Sequence, residues 1–186
     1  MPVQDIVQSA GQSMAKAVEH HQQALAKVRT GRASASMFDS VRVDYYGTPT
    51  PVAQVSSVSV PEPRLIIVQP WERNLIGAIE KAILAANLGL TPQSDGTVIR
   101  VPIPPMTEER RKEIAKQCWK AAEDAKVTVR GVRRDMMELL KKSEKAEGFS
   151  EDDRKRGEEE IQKLTDRYVK DIDTVTQAKE NEVMSE

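Results

Sequence analysis

The chain has 186 residues, of which 31% are charged and only 4% aromatic, with a net charge of −1 and a mean hydropathy of −0.53. This length allows one large domain or two small ones, and the polar composition suits long solvated helices better than a thick globular core. No apolar run approaches membrane-spanning length, and a single cysteine excludes an intramolecular disulfide. We therefore expect a cytoplasmic protein with no membrane contact.

The near-neutral total hides regional differences in charge. Residues 107–149 carry twelve basic and nine acidic side chains, a net charge of +3. Residues 150–186 carry seven basic and twelve acidic ones, a net charge of −5. Although the total charge gives no sign of nucleic-acid binding, we expect a basic face to coexist with an acidic one.

The first thirty residues predict an amphipathic helix. Apolar positions recur at alternating gaps of three and four residues, which is typical of a helix with a coiled-coil-like seam. These positions are Val3, Ile6, Ala10, Met14, Ala17, His21, Leu25 and Val28. Gly31 is predicted to end this helix, with Arg29 close to its negative end.

The period of the apolar residues changes in the middle of the chain. Short alternating runs bounded by turn residues predict strands, and one longer run predicts a helix. The predicted elements are strands within residues 41–46, 53–60 and 64–68, a helix over residues 72–87 and a final hairpin that turns at "SDG". Together they predict a small inserted β/α/β domain over residues 31–105.

Two further amphipathic helices are predicted in the last eighty residues. Thr107 is a suitable N-cap for the first of them, and Asp152 suits the start of the second. Three apolar stripes, with a short connection between the last two, predict an antiparallel three-helix bundle made of residues 1–30 and 106–186. The expected fold class is α+β, a long three-helix bundle with a small domain inserted into it.

Two chain crossings join the predicted bundle to the inserted domain. Glycine with small residues on one side and stacked prolines on the other predict hinge segments at residues 31–34 and 101–106. The candidate hinge residues are Gly31, Arg32, Ala33, Ser34, Pro104 and Pro105. A rigid corner is an equally good interpretation of the same residues.

The sequence lacks the usual motifs of enzymes. The segment "VRTGRAS" follows a predicted helix rather than a strand, so it does not match a phosphate-binding loop. His20 and His21 are adjacent and face different directions on a helix, which does not suit a shared metal. Cys118 falls on an apolar stripe and is best explained as a small buried residue. We expect no catalytic residue, no metal and no cofactor.

The segment "VRGVRRD", residues 129–135, places three arginines on one helix. At 100° per residue, Arg130 faces solvent, Arg133 lies beside the apolar stripe and Arg134 lies roughly opposite it. Guanidinium groups bind phosphates bidentately and always carry their charge. Taken alone, however, the arginines are better explained by ion pairs within the helix. The candidate partners are Glu123, Asp124 and Asp135.

Four motifs in order resemble the bacterial ribosome recycling factor family. They are "VRTGRAS", "YYGTPTPVAQVSSVSVPEPR", "IPPMTEERRKE" and "VRGVRRD". The resemblance covers essentially all 186 residues. It implies a three-helix bundle that two flexible segments join to a β/α/β domain, in an overall shape like that of transfer RNA.

The resemblance also implies a function. Members of the family bind the post-termination 70S ribosome across its subunit interface. With elongation factor G, and GTP hydrolysis by that factor, they split the ribosome into subunits for a new round of translation. A member is not itself an enzyme, and we expect a monomer because three helices can bury their apolar stripes within one chain.

The family's functional residues can be carried onto this sequence position by position. Arg130 and Arg133 match arginines that contact large-subunit rRNA, and Arg134 completes their motif. Other matching basic positions, near the predicted hinges, are Arg29, Arg32 and Arg111. Gly131 departs from the family, which often has asparagine or another polar residue there, but it leaves both arginines in register.

Two other classes of protein remain open at this point. A coiled-coil scaffold or chaperone-like interaction protein would use the arginines only for ion pairs and would self-associate through the apolar seams. A generic RNA-binding module would bind isolated RNA in a sequence-dependent way, but this chain has few aromatic residues for base stacking.

Overall fold

The computed structural model describes residues 1–185, which form two compact units. The bundle unit consists of Met1–Thr30 and the chain from Glu108 onward, and the inserted unit is Gly31–Thr107. The helices and strands are α1 (Val3–Ala26), β1 (Arg42–Tyr45), β2 (Thr48–Pro51), α2 (Val52–Val55), β3 (Ser56–Glu62), β4 (Leu65–Pro70), α3 (Ile76–Ala85), β5 (Gln93–Ser94), β6 (Ile99–Pro102), α4 (Glu108–Glu147) and α5 (Glu151–Met184).

The bundle unit is built from α1, α4 and α5. The serine before α5, Ser150, caps this helix by accepting a hydrogen bond from the Asp153 N–H at 3.1 Å, and the short connection makes α5 antiparallel to α4. The residue numbers of the contacting partners increase in the same direction along α1 and α5, since Met14 contacts Thr165 and His21 contacts Thr176. The helix α1 therefore runs parallel to α5 and antiparallel to α4.

The core of the bundle unit is a column of apolar side chains from all three helices. Its buried members are Ile6, Val7, Ala10, Met14, Val18, Ala122, Val129, Leu140, Ile161 and Ile172. Val7 and Val18 lie outside the apolar seam that the sequence predicts for α1. They are buried because α1 packs against two neighbouring helices at once, which covers a wider stripe than a single seam.

The helix α1 ends at Ala26, so the prediction that Gly31 is its C-terminal stop was wrong. Its end tightens instead, because the Lys27 N–H bonds to the Ala24 carbonyl and the Val28 N–H bonds to the Leu25 carbonyl at 3.0 Å. These bonds satisfy the last carbonyls without a left-handed residue. Gly31 does have a left-handed φ of +80°, but it lies in the crossing that follows.

The inserted unit contains a four-stranded antiparallel sheet in the order β3-β4-β6-β5 and a two-stranded hairpin of β1 and β2. The helix α3 packs on this framework through Ile79 and Ile83, both of which are buried. The segment "AQV", which the sequence assigned to a strand, instead belongs to the single helical turn α2. The alternating pattern of β3 begins only at Ser56, where the chain becomes extended.

Both crossings are tied to the same turn of the inserted unit, the one between β3 and β4. The Ala33 N–H donates to the Pro63 carbonyl at 2.6 Å, and the Ile103 N–H donates to the Arg64 carbonyl at 2.8 Å. Val101 belongs to β6 and is fully buried. The first residues of the predicted hinge segment 101–106 are therefore part of the sheet, because they complete its ladder with β4.

Candidate RNA-binding face of the bundle

The three arginines of "VRGVRRD" lie on α4, as the sequence predicts. Arg130 and Arg134 are exposed, whereas Arg133 is half-buried beside α5. Val129 is buried in the core and marks the inward side of α4. The 100° step per residue then gives the direction of each arginine relative to that side. The predicted directions of these side chains relative to the core are thereby confirmed.

Arg130 forms an ion pair within its own helix. Its Nη1 lies 3.1 Å from Oε1 of Glu123, and the two side chains are 53% and 59% exposed. The expectation of an intrahelical ion pair is therefore confirmed for this arginine. Exposed pairs of this kind stabilise a protein by only about 0–1 kcal/mol, so a phosphate can replace the carboxylate at little cost.

Arg133 is held by a different kind of contact. Its Nε donates a hydrogen bond to Oε1 of Gln162 on α5 at 2.6 Å. The Gln162 amide in turn donates from Nε2 to Oδ1 of Asp166 at 2.9 Å. Within residues 1–185 Arg133 makes no ion pair, so the expectation of a carboxylate partner was wrong for this residue.

An open groove runs between α4 and α5 beside Arg133, and we call it the α4–α5 groove. Its lining residues are Arg133, Arg134, Met137, Glu138, Lys141, Lys155, Glu158, Glu159 and Gln162. Two of its carboxylates are already engaged, since Glu138 pairs with Lys142 and Glu158 pairs with Arg154, each at 2.7 Å. Lys155 is also engaged, by Glu151 at 3.0 Å, so among the described residues the basic side chains of the groove that make no ion pair are those of Arg133, Arg134 and Lys141.

Lys126, one turn before Arg130, does not add to these unpaired basic side chains. Its side chain is only 15% exposed, and its ammonium group pairs with Asp173 on α5. It also lies 6.0 Å from the ring centroid of Trp119. Lys126 joins two helices and is not available to bind an anion.

The other basic positions lie at the ends of their elements. Arg29 and Arg32 are exposed and follow the end of α1, while Arg111 is half-buried in the first turn of α4. Since Arg111 precedes Arg130 by 19 residues on one helix, the two lie about 28 Å apart along its axis. The arginines of α4 therefore occupy two separate places on the bundle unit.

The remaining candidates for site chemistry are used in packing. Cys118 is buried, and burial raises the pKa of its thiol, which disfavours the reactive thiolate. His21 is buried and hydrogen-bonded to Thr176. Among residues 1–185, no three side chains of His, Cys, Asp or Glu are grouped as a metal site would require. No helix in this part of the chain is long and apolar enough to cross a membrane.

Gln162 and Asp166 were not among the site residues that the sequence predicts. Their spacing of four residues on a helix was visible, but glutamine and aspartate at that spacing are common on solvated faces. Only the packing of α5 against α4 shows that Gln162 meets an arginine 29 positions earlier in the chain.

The comparisons with known proteins agree over the whole chain. A family model described as ribosome recycling factor matches residues 21–184. The chain is 53% identical to the ribosome-recycling factor of Nitratidesulfovibrio vulgaris, with 99% of each chain covered. It is 52% identical to that of Bacillus cytotoxicus, with 97% of this chain and 98% of the relative covered.

Two solved structures are similar in fold as well as in sequence. A solution structure of the ribosome recycling factor has a TM-score of 0.75 and 44% identity, covering 99% of this chain and 98% of the other. Models for the T. thermophilus ribosome recycling factor and the E. coli elongation factor G bound to the E. coli post-termination complex give a TM-score of 0.62 and 38% identity, with both chains fully covered. The sequence and the fold together show that the chain belongs to the ribosome recycling factor family.

Proposed function

We propose that this chain binds the post-termination 70S ribosome and, with elongation factor G and GTP hydrolysis by that factor, splits it into subunits. The similarity to a ribosome recycling factor bound with elongation factor G to a post-termination complex supports both partners. The observation that carries the assignment is a set of arginines on a rigid bundle in a chain of this family. The protein acts in the cytoplasm as a translation factor rather than as an enzyme.

The bundle unit provides the stiffness that such a role needs. The helix α4 has 40 residues and spans about 60 Å at 1.5 Å per residue. It packs against α1 and α5 through a core that includes Ala122, Val129 and Leu140, which stiffens this part of the helix so that it can transmit force. A single unsupported helix of this length would bend.

Arg130, Arg133 and Arg134 provide the contact with large-subunit rRNA. Guanidinium groups bind phosphate oxygens bidentately, and duplex RNA is recognised mainly through its shape and its backbone. The few aromatic side chains of the chain argue against base stacking as the main contact. Arg29, Arg32 and Arg111 provide further positive charge away from this site.

The two crossings act as hinges in this proposal. Gly31, Arg32, Ala33 and Ser34 form the first hinge, and Pro104 and Pro105 form the second. Gly31 supports the first assignment because its φ of +80° is a backbone conformation that residues with a side chain rarely adopt. The Ala33 N–H bonds to the β3–β4 turn from within the first segment, and the Ile103 N–H bonds to the same turn just before Pro104. Movement in the first hinge is therefore expected mainly at Gly31 and Arg32.

The proposal is tested by light scattering of post-termination ribosomes mixed with this protein, elongation factor G and GTP. Loss of a hydrogen bond to a charged group costs about 1.5–3 kcal/mol, so we expect Arg133→Ala to weaken ribosome binding by about tenfold or more. Arg156→Ala is the matched control, because Arg156 is an exposed arginine of α5 outside the α4–α5 groove. It removes the same charge and is expected to split ribosomes at the wild-type rate.

Salt dependence gives the same experiment a second measure. Because Arg133→Ala removes one phosphate contact, this variant is expected to have a slope of log affinity against log salt that is lower by about one than that of the wild type. A well-folded wild type that splits no ribosomes, with active elongation factor G from the same source, would contradict the proposed function. Equal splitting by wild type and Arg133→Ala would keep the function and remove Arg133 from the contact.

A coiled-coil scaffold is not favoured by the surface of the bundle unit. In its described residues, the large hydrophobic side chains that are strongly exposed are those of Met1 and Val127. Two isolated side chains do not form the continuous stripe that helical self-association requires. We therefore also propose a monomer, which light scattering coupled to size exclusion would distinguish from a scaffold that self-associates.

A further inference from the structure

The hydrogen bonds between α4 and α5 orient the Gln162 amide without ambiguity. An arginine Nε can only donate, and an ionised carboxylate can only accept. Because Asp166 accepts from one end of the amide, that end must be the Nε2 group, and Oε1 must face Arg133. The order Arg133 to Gln162 to Asp166 is therefore set by the chemistry of the two outer groups.

This contact leaves most of the Arg133 guanidinium group available. Of its five N–H groups, Gln162 takes the one on Nε. The four N–H groups on the two terminal nitrogens remain for a ligand. Two of them at the outer edge match a phosphate group in the bidentate arrangement.

A neutral partner distinguishes Arg133 from the structural arginine of the same bundle. Arg154 is only 18% exposed and lies within 4 Å of carboxylates of Glu144, Glu151 and Glu158. Its hydrogen bond to Glu158 is the main reason that the Arg154 pKa is raised. Three carboxylates neutralise Arg154 and commit it to the bundle, whereas Arg133 is held by the neutral Gln162 amide and makes no ion pair among the described residues.

Holding a long side chain in place before binding has a direct effect on affinity. A free arginine side chain loses rotamer freedom when it becomes ordered on a ligand. In the free protein, the Arg133 side chain is already half-buried and hydrogen-bonded to Gln162 of α5. Part of that loss therefore occurs on folding and does not weaken binding.

We propose that Gln162 is a positioning residue that orients Arg133 so that its terminal nitrogens face an RNA phosphate, and that its amide is suited to this because it does not neutralise the guanidinium charge. The inference rests on the proposed binding of the ribosome. It adds a residue on α5, with Asp166 behind it, to a contact otherwise made by α4.

The test measures the dissociation constant of the full-length protein for large ribosomal subunits. Gln162→Met keeps a similar length but removes the acceptor, and it is expected to weaken binding by about two- to tenfold, the usual effect of losing one pre-ordered side chain. Gln162→Glu keeps an acceptor but adds a negative charge beside Arg133. It is expected to weaken binding and to lower the salt slope by about one.

A double-mutant cycle separates positioning from a general structural role. In an Arg133→Ala background, Gln162→Met is expected to have no further effect on binding, because there is no guanidinium left to orient. Gln177→Met is the matched control, since Gln177 is an exposed glutamine on the same helix that bonds only to Asn181 among the described residues. Melting temperatures are measured for every variant to confirm that the bundle is intact.

The outcomes distinguish the positioning role from the proposed function. Normal binding by Gln162→Met, with weak binding by Arg133→Ala, would overturn the positioning role and leave the arginine contact in place. An equal loss from Gln162→Met with and without Arg133 would also overturn it, since the effect would then be independent of the arginine. Normal binding by Arg133→Ala would remove the arginine contact itself.

Discussion

His21 is a buried histidine whose hydrogen bonds show that its Nε2 carries a hydrogen. Its Nε2 lies 2.8 Å from Oγ1 of Thr176, and that hydroxyl lies 2.7 Å from the carbonyl oxygen of Ile172. A hydroxyl has one hydrogen, which Thr176 donates to the carbonyl. Thr176 must therefore accept a hydrogen from Nε2 of His21, and the neutral imidazole with its proton on Nε2 already satisfies this pair.

Burial of His21 predicts a loss of stability in mild acid. Burial lowers the pKa of His21 below its ordinary value of 6.5. As pH falls below about 6.5, the unfolded chain therefore gains a proton that the folded chain resists, and the free energy of unfolding decreases. Thermal melting between pH 7.5 and pH 5.5 is expected to show a smaller decrease in Tm for His21→Gln than for the wild type.

The adjacent histidine provides the control for this prediction. His20 is exposed, so His20→Gln is expected to keep the wild-type dependence of Tm on pH. Parallel curves for wild type and His21→Gln would show that other groups, such as paired carboxylates, determine the acid sensitivity.

At the level of single residues, the sequence predicted the direction of a side chain correctly where that direction depends on the geometry of one helix. The directions of Arg130 and Arg133 follow from helical geometry alone, and the structure agrees with them. The partner of Arg133 depends on the alignment of α4 with α5, which local periodicity does not determine. A seam of similar apolar residues allows several alignments, and they differ in which polar side chains meet at its edge.

At the scale of the helices, two glycines offer a matched test of packing. Gly157 of α5 is buried, and a Cβ there would lie 2.8 Å from Cγ1 of Val3 and 3.3 Å from the Leu140 methyl groups. Gly131 of α4 has no neighbouring heavy atom within 4 Å of such a Cβ. Three helices approach closely at Gly157, whereas Gly131 occupies a helix surface with free space.

Alanine substitutions at these two glycines are expected to change stability in opposite directions. Alanine is favoured over glycine by about 0.8–1 kcal/mol within a helix, so Gly131→Ala is expected to raise the free energy of unfolding by about that amount. Overpacking costs about 1–3 kcal/mol, so Gly157→Ala is expected to lower it despite the same gain in propensity. Urea denaturation measures both, and equal stabilisation would show that α1 moves aside without cost.

The elements that the local sequence pattern did not predict are those that depend on a neighbouring segment. The strand β2 contains Pro49 and Pro51, and prolines argue against a strand because they cannot donate to a ladder. They are accommodated because β2 pairs only with β1, so its other edge needs no partner. The end of α1 at Ala26 was missed for a related reason, since a tightened last turn has no strong residue signature.

At the scale of the whole molecule, net charge conceals the feature that matters most for binding. The chain is almost neutral, yet its final 37 residues are strongly acidic and residues 107–149 are basic. The three arginines of α4 act over a few ångströms, within the Debye length of about 8 Å at physiological salt. In the proposed contact, an RNA phosphate meets these arginines together with Glu158 and Glu159 of the α4–α5 groove, whereas acidic residues of α5 farther away than this length are screened by salt.

The proline crossing gives a prediction that concerns transmission of force rather than affinity. Proline fixes its own φ and restricts the residue before it, so Pro104 and Pro105 together limit the freedom of the second crossing. Replacing both with alanine is expected to leave ribosome affinity unchanged, because the proposed RNA contact lies on α4. Splitting by elongation factor G and GTP is expected to slow by severalfold, since a looser connection transmits less of the applied motion.

Another proline of the inserted unit provides a control for this prediction. Pro49 is exposed in β2, outside both crossings and outside the β3–β4 turn that anchors them, and Pro49→Ala is expected to split ribosomes at the wild-type rate. The hydrogen bond from Ile103 to Arg64 remains in the double variant, so the sheet is expected to keep its melting temperature. Wild-type splitting by the double variant would mean that the crossing acts as a passive link, with movement confined to the segment around Gly31. A loss of affinity equal to the loss of splitting would show that the crossing itself contributes to ribosome binding.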